Sequence, residues 1–348
     1  MRASDLRFLM AWLLPALTLF SVYSQPDFSA LCTLAVWWTI ALLDVFMPGG
    51  KHSPEAVAAD TRMTYFRWVL RLYVVLQLAL IALGAYAAAQ AQWLTVLGVA
   101  FSVGFITGSQ GITFAHELGH SKNAADRFCA WVLMTSVCYG HFMVEHYRGH
   151  HPRAATLDDP ATSRRGESLY AFLPRTLLGG LRSSWRLEAQ RLTQMKSPWR
   201  RSPLAWSAAA SGVLLLAPVT VFIGSVAIKI IAYFALQSVV AFLLLEVVNY
   251  IEHYGLQRQT VNGKRESFGM RHAWNADHLA TNSMLANLQR HSDHHMHAWK
   301  AYPALSALPG PQLPTGYAGC LLLALVPPLW FALMQPRLDA LSSPSTVV

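Results

Sequence analysis

Apolar residues run along this chain in blocks too long and too evenly apolar for amphipathic surface helices. Six blocks reach the roughly 20 residues needed to cross a bilayer. They cover about 6–24, 29–47, 67–89, 93–115, 204–225 and 226–250. The pattern predicts an all-α integral membrane protein with six transmembrane helices in a single domain, 1–348. Two polar stretches, 116–203 and 251–316, follow the fourth and sixth blocks and predict a helical cap. The turns near 25–28 and 90–92 carry no Lys or Arg, whereas 49–67, 121–203 and 255–271 are rich in them. Positive loops stay in the cytoplasm, so the N-terminus and both polar stretches are expected on that side.

Composition agrees. Of the 348 residues 54% are hydrophobic and 13% charged, and mean hydropathy is +0.32. Soluble domains average about 25% charged. A formal charge of +9 therefore reads as topology rather than nucleic-acid binding. The aromatics (Trp 12, Tyr 12, Phe 16) suit interface belts and an apolar pocket equally. Cys32, Cys129, Cys138 and Cys320 are scattered and form no C-x-x-C pair. That excludes a thiolate iron centre and a disulfide framework. There is no G-x-G-x-x-G nucleotide motif and no internal repeat.

Histidine is the residue that carries chemistry. Leu288–His297 reads L-Q-R-H-S-D-H-H-M-H, with four histidines in ten residues. On a helix His291, His294 and His295 are expected to project from one face. His116 and His120 stand i, i+4 in H-E-L-G-H, and His146 and His150 repeat that spacing. His151 is rotated from His150, so these neighbours can face different metals. His253 ends the sixth block, with Glu246 and Asn249 on its helical stripe. Ionisable residues near the bilayer are costly and mark function. Nine clustered histidines exceed the needs of one ion. Neutral imidazole suits Fe, Zn, Cu and Ni. Glu117, Glu145, Asn249, Glu252, Asp293 and His297 are expected as outer partners that orient these rings. His52 reads as an ordinary surface residue, and His141, His272 and His278 as hydrogen-bonding neighbours.

Three stretches are ambiguous. Val22 and Ser24 would also suit cleavage of a leader after the first block. Residues 128–144 are at the lower limit for a span. Crossing there would part His116 and His120 from the 146–151 cluster, so a re-entrant or interfacial helix is expected. Residues 317–334, interrupted by Pro327 and Pro328, are expected to lie in the interface. The tail from Ser342 to Val348 is expected to be disordered.

H-E-L-G-H alone also fits a zinc protease, but that reading leaves most clustered histidines without a role. A transport or sensor protein would space ligands through the membrane depth, whereas these gather on one side.

Taken together, H-E-L-G-H (116–120), E-H-Y-R-G-H-H (145–151), N-Y-I-E-H-Y-G (249–255) and the 288–297 run resemble the motifs of bacterial membrane alkane 1-monooxygenases. That family sits in a wider histidine-rich membrane di-iron group with xylene monooxygenases and fatty acyl desaturases. A-T-L-D-D-P-A-T-S-R-R-G-E (155–167), H-A-W-N (272–275) and L-P-T-G-Y (313–317) extend the likeness from about Asp44 to Tyr317. Departures lie at the rim: Ser121 replaces a common lysine, and Ala298-Trp299-Lys300-Ala301-Tyr302 replaces a Pro-Thr-Arg-Arg-Tyr type of run.

The resemblance implies two iron ions held by His116, His120, His146, His150, His151, His253, His291, His294 and His295. It leaves open how these divide between the irons. It implies hydroxylation of the terminal methyl of medium-chain n-alkanes with O2 in the bacterial inner membrane. Electrons would come from a separate rubredoxin served by its reductase, in keeping with the missing C-x-x-C. Aryl-methyl oxidation or acyl desaturation would use the same metal head. An alkane offers only shape, so an apolar channel opening to lipid is expected, with Trp37, Trp38, Phe101, Phe105, Ile112 and Leu244 as candidate lining. Arg148, Arg153, Arg164 and Arg165 are candidate docking residues for an acidic donor.

Overall fold

The structure, a computed structural model, describes residues 3–47, 49 and 60–342. His52 and residues 343–348 lie outside that set. Among the described residues, six helices are long and apolar enough to cross a membrane: Asp5–Ser24, Pro26–Phe46, Met63–Gln90, Trp93–Gly119, Pro203–Val221 and Ser225–His253. The regular helices within them are α1 (Leu13–Ser24), α2 (Ser29–Phe46), α3 (Asp60–Gln90), α4 (Trp93–Ile106) and α5 (Ile112–Gly119). Spans five and six are α8 (Pro203–Val221) and α9 (Ser225–His253), and outside the spans lie α6 (Ala124–Thr135), α7 (Leu169–Gln194), α10 (His291–Met296), α11 (Tyr317–Ala324) and α12 (Pro327–Ser342).

Span four is the core of the bundle: 78% of its apolar window is buried, against 22% for span five, which is therefore peripheral. Its partner is α9. At Gly104 an added Cβ would stand 2.6 Å from Gln237 O, and at Gly108 2.7 Å from Ala241 Cα. Only a residue without a side chain permits that approach, the way small residues bring membrane helices together. Just beyond, Thr107–Gly111 forms a π-helical turn between α4 and α5. Such turns re-aim the residues that follow. Gln110 in this turn donates to Ala11 O at 2.9 Å and to Met284 O at 3.1 Å.

Alternation of the spans is visible in their contacts. Arg7 at the start of span one reaches Asn287. Asp44 at the end of span two bonds Thr281. Tyr302 donates to Phe66 O at the start of span three. These ends share one side of the bundle with His116 and His253, and the polar segments pack across it.

The structure bears on several expectations. The first span packs into the bundle, with Phe8, Ala11 and Leu14 buried. Span five ends at Val221 rather than near 225, because Gly224 turns the chain at φ +64°. Residues 128–144 do not cross: α6 ends at Thr135 and the chain returns, so that His146 lies 3.3 Å from His120 between Nε2 atoms. α11 and α12 meet at 119°, a bent pair broken ahead of Pro327. A two-stranded hairpin, Thr260–Val261 with Lys264–Arg265, interrupts the all-α plan. Its Asn262-Gly263 turn has positive φ at both residues (53° and 74°), the geometry that Asn-Gly favours.

Candidate metal centre

Nine imidazoles meet at the polar end of the bundle in two groups. His116, His120, His146, His151 and His294 form one; His150, His253, His291 and His295 form the other. Within each group the candidate ligand atoms all lie within 4.8 Å of one another. In the five-histidine group the Nε2 of His151 is 3.0 Å from that of His146 and 3.2 Å from that of His120. In the four-histidine group His150 and His295 approach to 3.2 Å, as do His291 and His253.

The division overturns two one-face expectations. His146 and His150 do not share a group, because Glu145–His150 is a π-helical turn, wider than the α-turn on which i, i+4 neighbours align. His294 parts from His291 and His295. α10 is wedged between the groups, with the i, i+4 pair on one side and His294 on the other. His150 and His151, adjacent in sequence, do face different groups.

The donor set suits a cation. Burial, followed by repulsion among neighbouring imidazoles, pushes His146, His291, His294 and His295 well below the usual histidine range. His151 falls to about 3 for the same reasons. The rings are thus neutral and offer lone pairs. Nε2 of His294 is buried without a hydrogen-bond partner, and the Nε2 atoms of His150, His253, His291 and His295 have only one another. So many convergent, neutral imidazole nitrogens are expensive unless a positive ion takes them up.

The outer partners differ from expectation. Glu252 Oε1 lies 3.2 Å from His291 Nδ1, at ion-pair range though not aligned for a hydrogen bond, and accepts the Tyr317 hydroxyl at 2.7 Å. Glu117 accepts from the Tyr302 backbone N–H, a position that does not suit a protease general base. Glu145 holds Arg153. Asn249 donates to Glu246. Asp293 holds His297, Lys300 and the Ser306 backbone, so His297 belongs to that loop and not to the groups. His272 pairs with Glu266, while His141 and His278 belong to neither group. Asp159, absent from the expected set, bonds His150 Nδ1 at 2.9 Å. Its Asp158-Asp159-Pro160 run offered the signal. Tyr317 closes the L-P-T-G-Y run and was equally readable as a marked residue without a role.

An apolar cavity, about 860 Å³ of empty space including its open mouth, runs from the histidines into the bundle. Trp37, Phe105, Ile112 and Leu244 line it, as do His116, His146 and His291 at its polar end. Trp38 does not. It is 54% exposed on the outer face of α2. Phe101 packs one turn away against Phe105 and the core. Of the four arginines, Arg148 pairs with Glu188, Arg153 with Glu145 and Arg165 with Asp339; the Arg164 backbone N–H donates to Glu167.

Fold and site together define a multi-pass membrane protein whose buried histidines could hold metal beside an apolar cavity. Residues 91–322 match the family described as fatty acid desaturase. The chain is 40% identical over 318 residues to alkane 1-monooxygenase 2 of Pseudomonas aeruginosa, covering 88% of this chain and 82% of the relative. It is 36% identical to alkane 1-monooxygenase of Pseudomonas putida, over 87% of this chain and 77% of the relative. To the xylene/toluene monooxygenase hydroxylase component of P. putida it is 28% identical, over 70% of this chain and 65% of the relative. The chain belongs to the alkane 1-monooxygenase family, within the fatty acid desaturase group.

Proposed function

We infer that the protein hydroxylates the terminal methyl of medium-chain n-alkanes to primary alcohols, using O2 and electrons delivered by a rubredoxin with its reductase. The observation that carries this reading is the cavity: its walls are mostly apolar, with Ser109, Thr113 and Thr281 among them, and its end is formed by histidines of both groups, His116 and His146 from one, His291 from the other. The five-histidine and four-histidine groups would each hold one iron ion. When bound, the pair would supply the O2 activation and the oxidising power that an unactivated C–H bond requires. The chain's own residues do the rest. The apolar walls exclude water and leave shape as the only handle on an alkane. Trp37, fixed by its Nε1–H donating to Ala318 O at 2.9 Å, limits the width of the channel. Tyr317 and Glu252 hold the His291 end, and Asp159 fixes the ring of His150.

The basic composition of the polar segments supports placement in a bacterial cytoplasmic membrane with the histidines on the cytoplasmic side. The test is purified protein loaded with iron and supplied with O2, rubredoxin, reductase and n-alkanes of increasing length. Two irons per chain and 1-alkanol products are expected. Alkene products would indicate a desaturase, and zinc with no oxygen uptake would remove the oxygenase reading.

A further inference from the structure

From residue 169 to residue 224 the chain carries seven basic residues and a single acid, Glu188. That acid is taken up by Arg148, Arg191 and Ser202, and Arg175 is paired with Glu167. Arg182, Arg186, Lys196, Arg200 and Arg201 remain. All are exposed, and among the described residues none of their side chains forms an ion pair. Four of these charges gather at one junction. Ser202 Oγ donates to Glu188 at 2.7 Å, which holds the turn Trp199–Arg201 against α7. Trp185 and Trp199 meet with ring centroids 5.5 Å apart. Arg186 follows one ring in the chain and Arg200 the other, and Arg182 stands one helical turn before Arg186 on the same face. Trp206 Nε1–H donates to Arg200 O at 2.8 Å, which fixes a 65% exposed ring just inside span five.

Two features show that this junction meets lipid rather than water alone. The exposed residues of α7 include Ala171, Pro174, Leu178 and Leu181, an apolar stripe at helical spacing that runs on into Arg182 and Arg186. A helix with an outward apolar stripe beside arginines lies in the plane of the membrane interface. Span five is the least buried of the six and exposes Trp206, Val213 and Leu214 along its length. The unpaired guanidinium groups therefore stand where acyl chains meet headgroups. We propose that the junction of α7 and span five binds an anionic phospholipid, with its phosphodiester against Arg186, Arg200 and Arg201 and its acyl chains along Trp206 and span five. Guanidinium presents a planar fork that matches phosphate oxygens. The positive end of the span-five helix dipole adds to the attraction. A zwitterionic lipid would bring its own ammonium among these unpaired cations, whereas a net negative headgroup would not. Positive charge alone would fix the side on which the segment lies, but that requires neither the paired indoles nor the apolar stripe on α7. None of these residues lines the main cavity or belongs to the histidine groups, so the site stands apart from the oxidation chemistry.

The test uses the full chain in phosphatidylcholine vesicles that carry a small, varied fraction of phospholipid brominated near the head of its acyl chains. The brominated lipid is either phosphatidylglycerol or phosphatidylcholine. The signal is the quenched tryptophan emission that disappears in the Trp206→Phe variant. An affinity about tenfold higher is expected for phosphatidylglycerol, the scale of two surface cations acting on one lipid charge. The double variant Arg200→Gln, Arg201→Gln is expected to bring the ratio of affinities close to one, and Arg182→Gln, Arg186→Gln to lower it. The pair Lys264→Gln, Arg265→Gln removes the same charge from the hairpin and is expected to leave the ratio unchanged. Far-UV circular dichroism should show native helix in both arginine variants; if one fails to fold, the other carries the test. Equal quenching by the two lipids in the unmodified protein would overturn the site. A loss of preference in the hairpin pair equal to that in the arginine pairs would reduce the effect to overall charge and overturn it too. Millimolar inorganic phosphate is expected not to displace the brominated phosphatidylglycerol; displacement would overturn the assignment to a lipid.

Discussion

Asp159 Oδ2 lies 2.9 Å from Nδ1 of His150 and also accepts the Thr162 hydroxyl at 2.6 Å. With Nδ1 engaged, the ring presents Nε2 to the four-histidine group, where it stands 3.2 Å from His295. A carboxylate behind a ligating imidazole fixes its orientation and raises its basicity. Asp159→Ala is therefore expected to weaken metal binding at that group by about 10–100-fold and to leave the five-histidine group unchanged. Metal titration of purified variants, followed to full stoichiometry, measures both. Equal loss at the two groups would mean that Asp159 supports the fold rather than the ring.

The wedge position of α10 gives a second expectation. His294→Ala removes a donor from the five-histidine group and His291→Ala one from the four-histidine group. Each variant is expected to retain close to one metal ion per chain and to lose turnover, while inserting normally into membranes. Crossed spectroscopy of the retained ion should show two different environments. Identical residual sites would contradict the division.

That division was not legible in the sequence, although the nine residues were. Their spacing shows that imidazoles cluster. It does not show which way a π-turn at 145–150 rotates His146 against His150, nor that α10 enters between two groups. The six spans were legible from hydropathy, because length and composition alone define them. Facing was not: α2 is apolar all round, so nothing in the pattern distinguishes Trp37, buried against Phe105, from Trp38, exposed one residue later. The partners Asp159 and Tyr317 depend on contacts across 9 and 65 residues respectively, and such contacts leave no periodic trace.

Glu188 on α7 ties three segments together. It accepts from Arg191 at 2.7 Å, Ser202 at 2.7 Å and Arg148 at 3.0 Å. The Arg191 hydrogen bond, ahead of the others, holds its carboxyl at about 2, below the usual 4.5. A folded pKa below the unfolded one gives stability that is complete above about pH 4.5 and lost as pH falls toward 2. Arg148 is 44% exposed, so solvent screens part of the gain. Glu188→Gln is expected to cost about 1–3 kcal/mol at pH 7. The gap between variant and wild type should narrow when denaturation is repeated near pH 3. A gap independent of pH would assign the loss to packing.

The four candidate docking arginines separate under the same scrutiny. Arg148 and Arg153 hold Glu188 and Glu145, so changing them is expected to lower stability as well as any donor effect. Arg164 and Arg165 are the cleaner test. Reversing both charges should slow reduction by an acidic rubredoxin and flatten its salt dependence, while a small chemical reductant responds to neither. A rubredoxin rate insensitive to salt would leave these residues with topology alone.

Trp37 and Trp38 give the sharpest contrast, since one step along a helix separates a cavity wall from a lipid-facing residue. Trp37 is buried, fills the space between Phe105 and α11, and is held by Ala318 O. Trp37→Ala removes a side chain that would otherwise occupy 150–250 Å² of contact. Because the wall it leaves is apolar, the space is available to substrate rather than water. The preferred n-alkane should shift to longer chains, and the protein should lose about 3–5 kcal/mol of stability, the usual cost of deleting a buried aromatic. Trp38→Ala faces neither consequence: its ring is mostly exposed and lines no part of the cavity. Product profiles across an alkane series, measured for both variants beside wild type, decide the matter. A shift in Trp38→Ala equal to that in Trp37→Ala would place the channel outside the cavity described here.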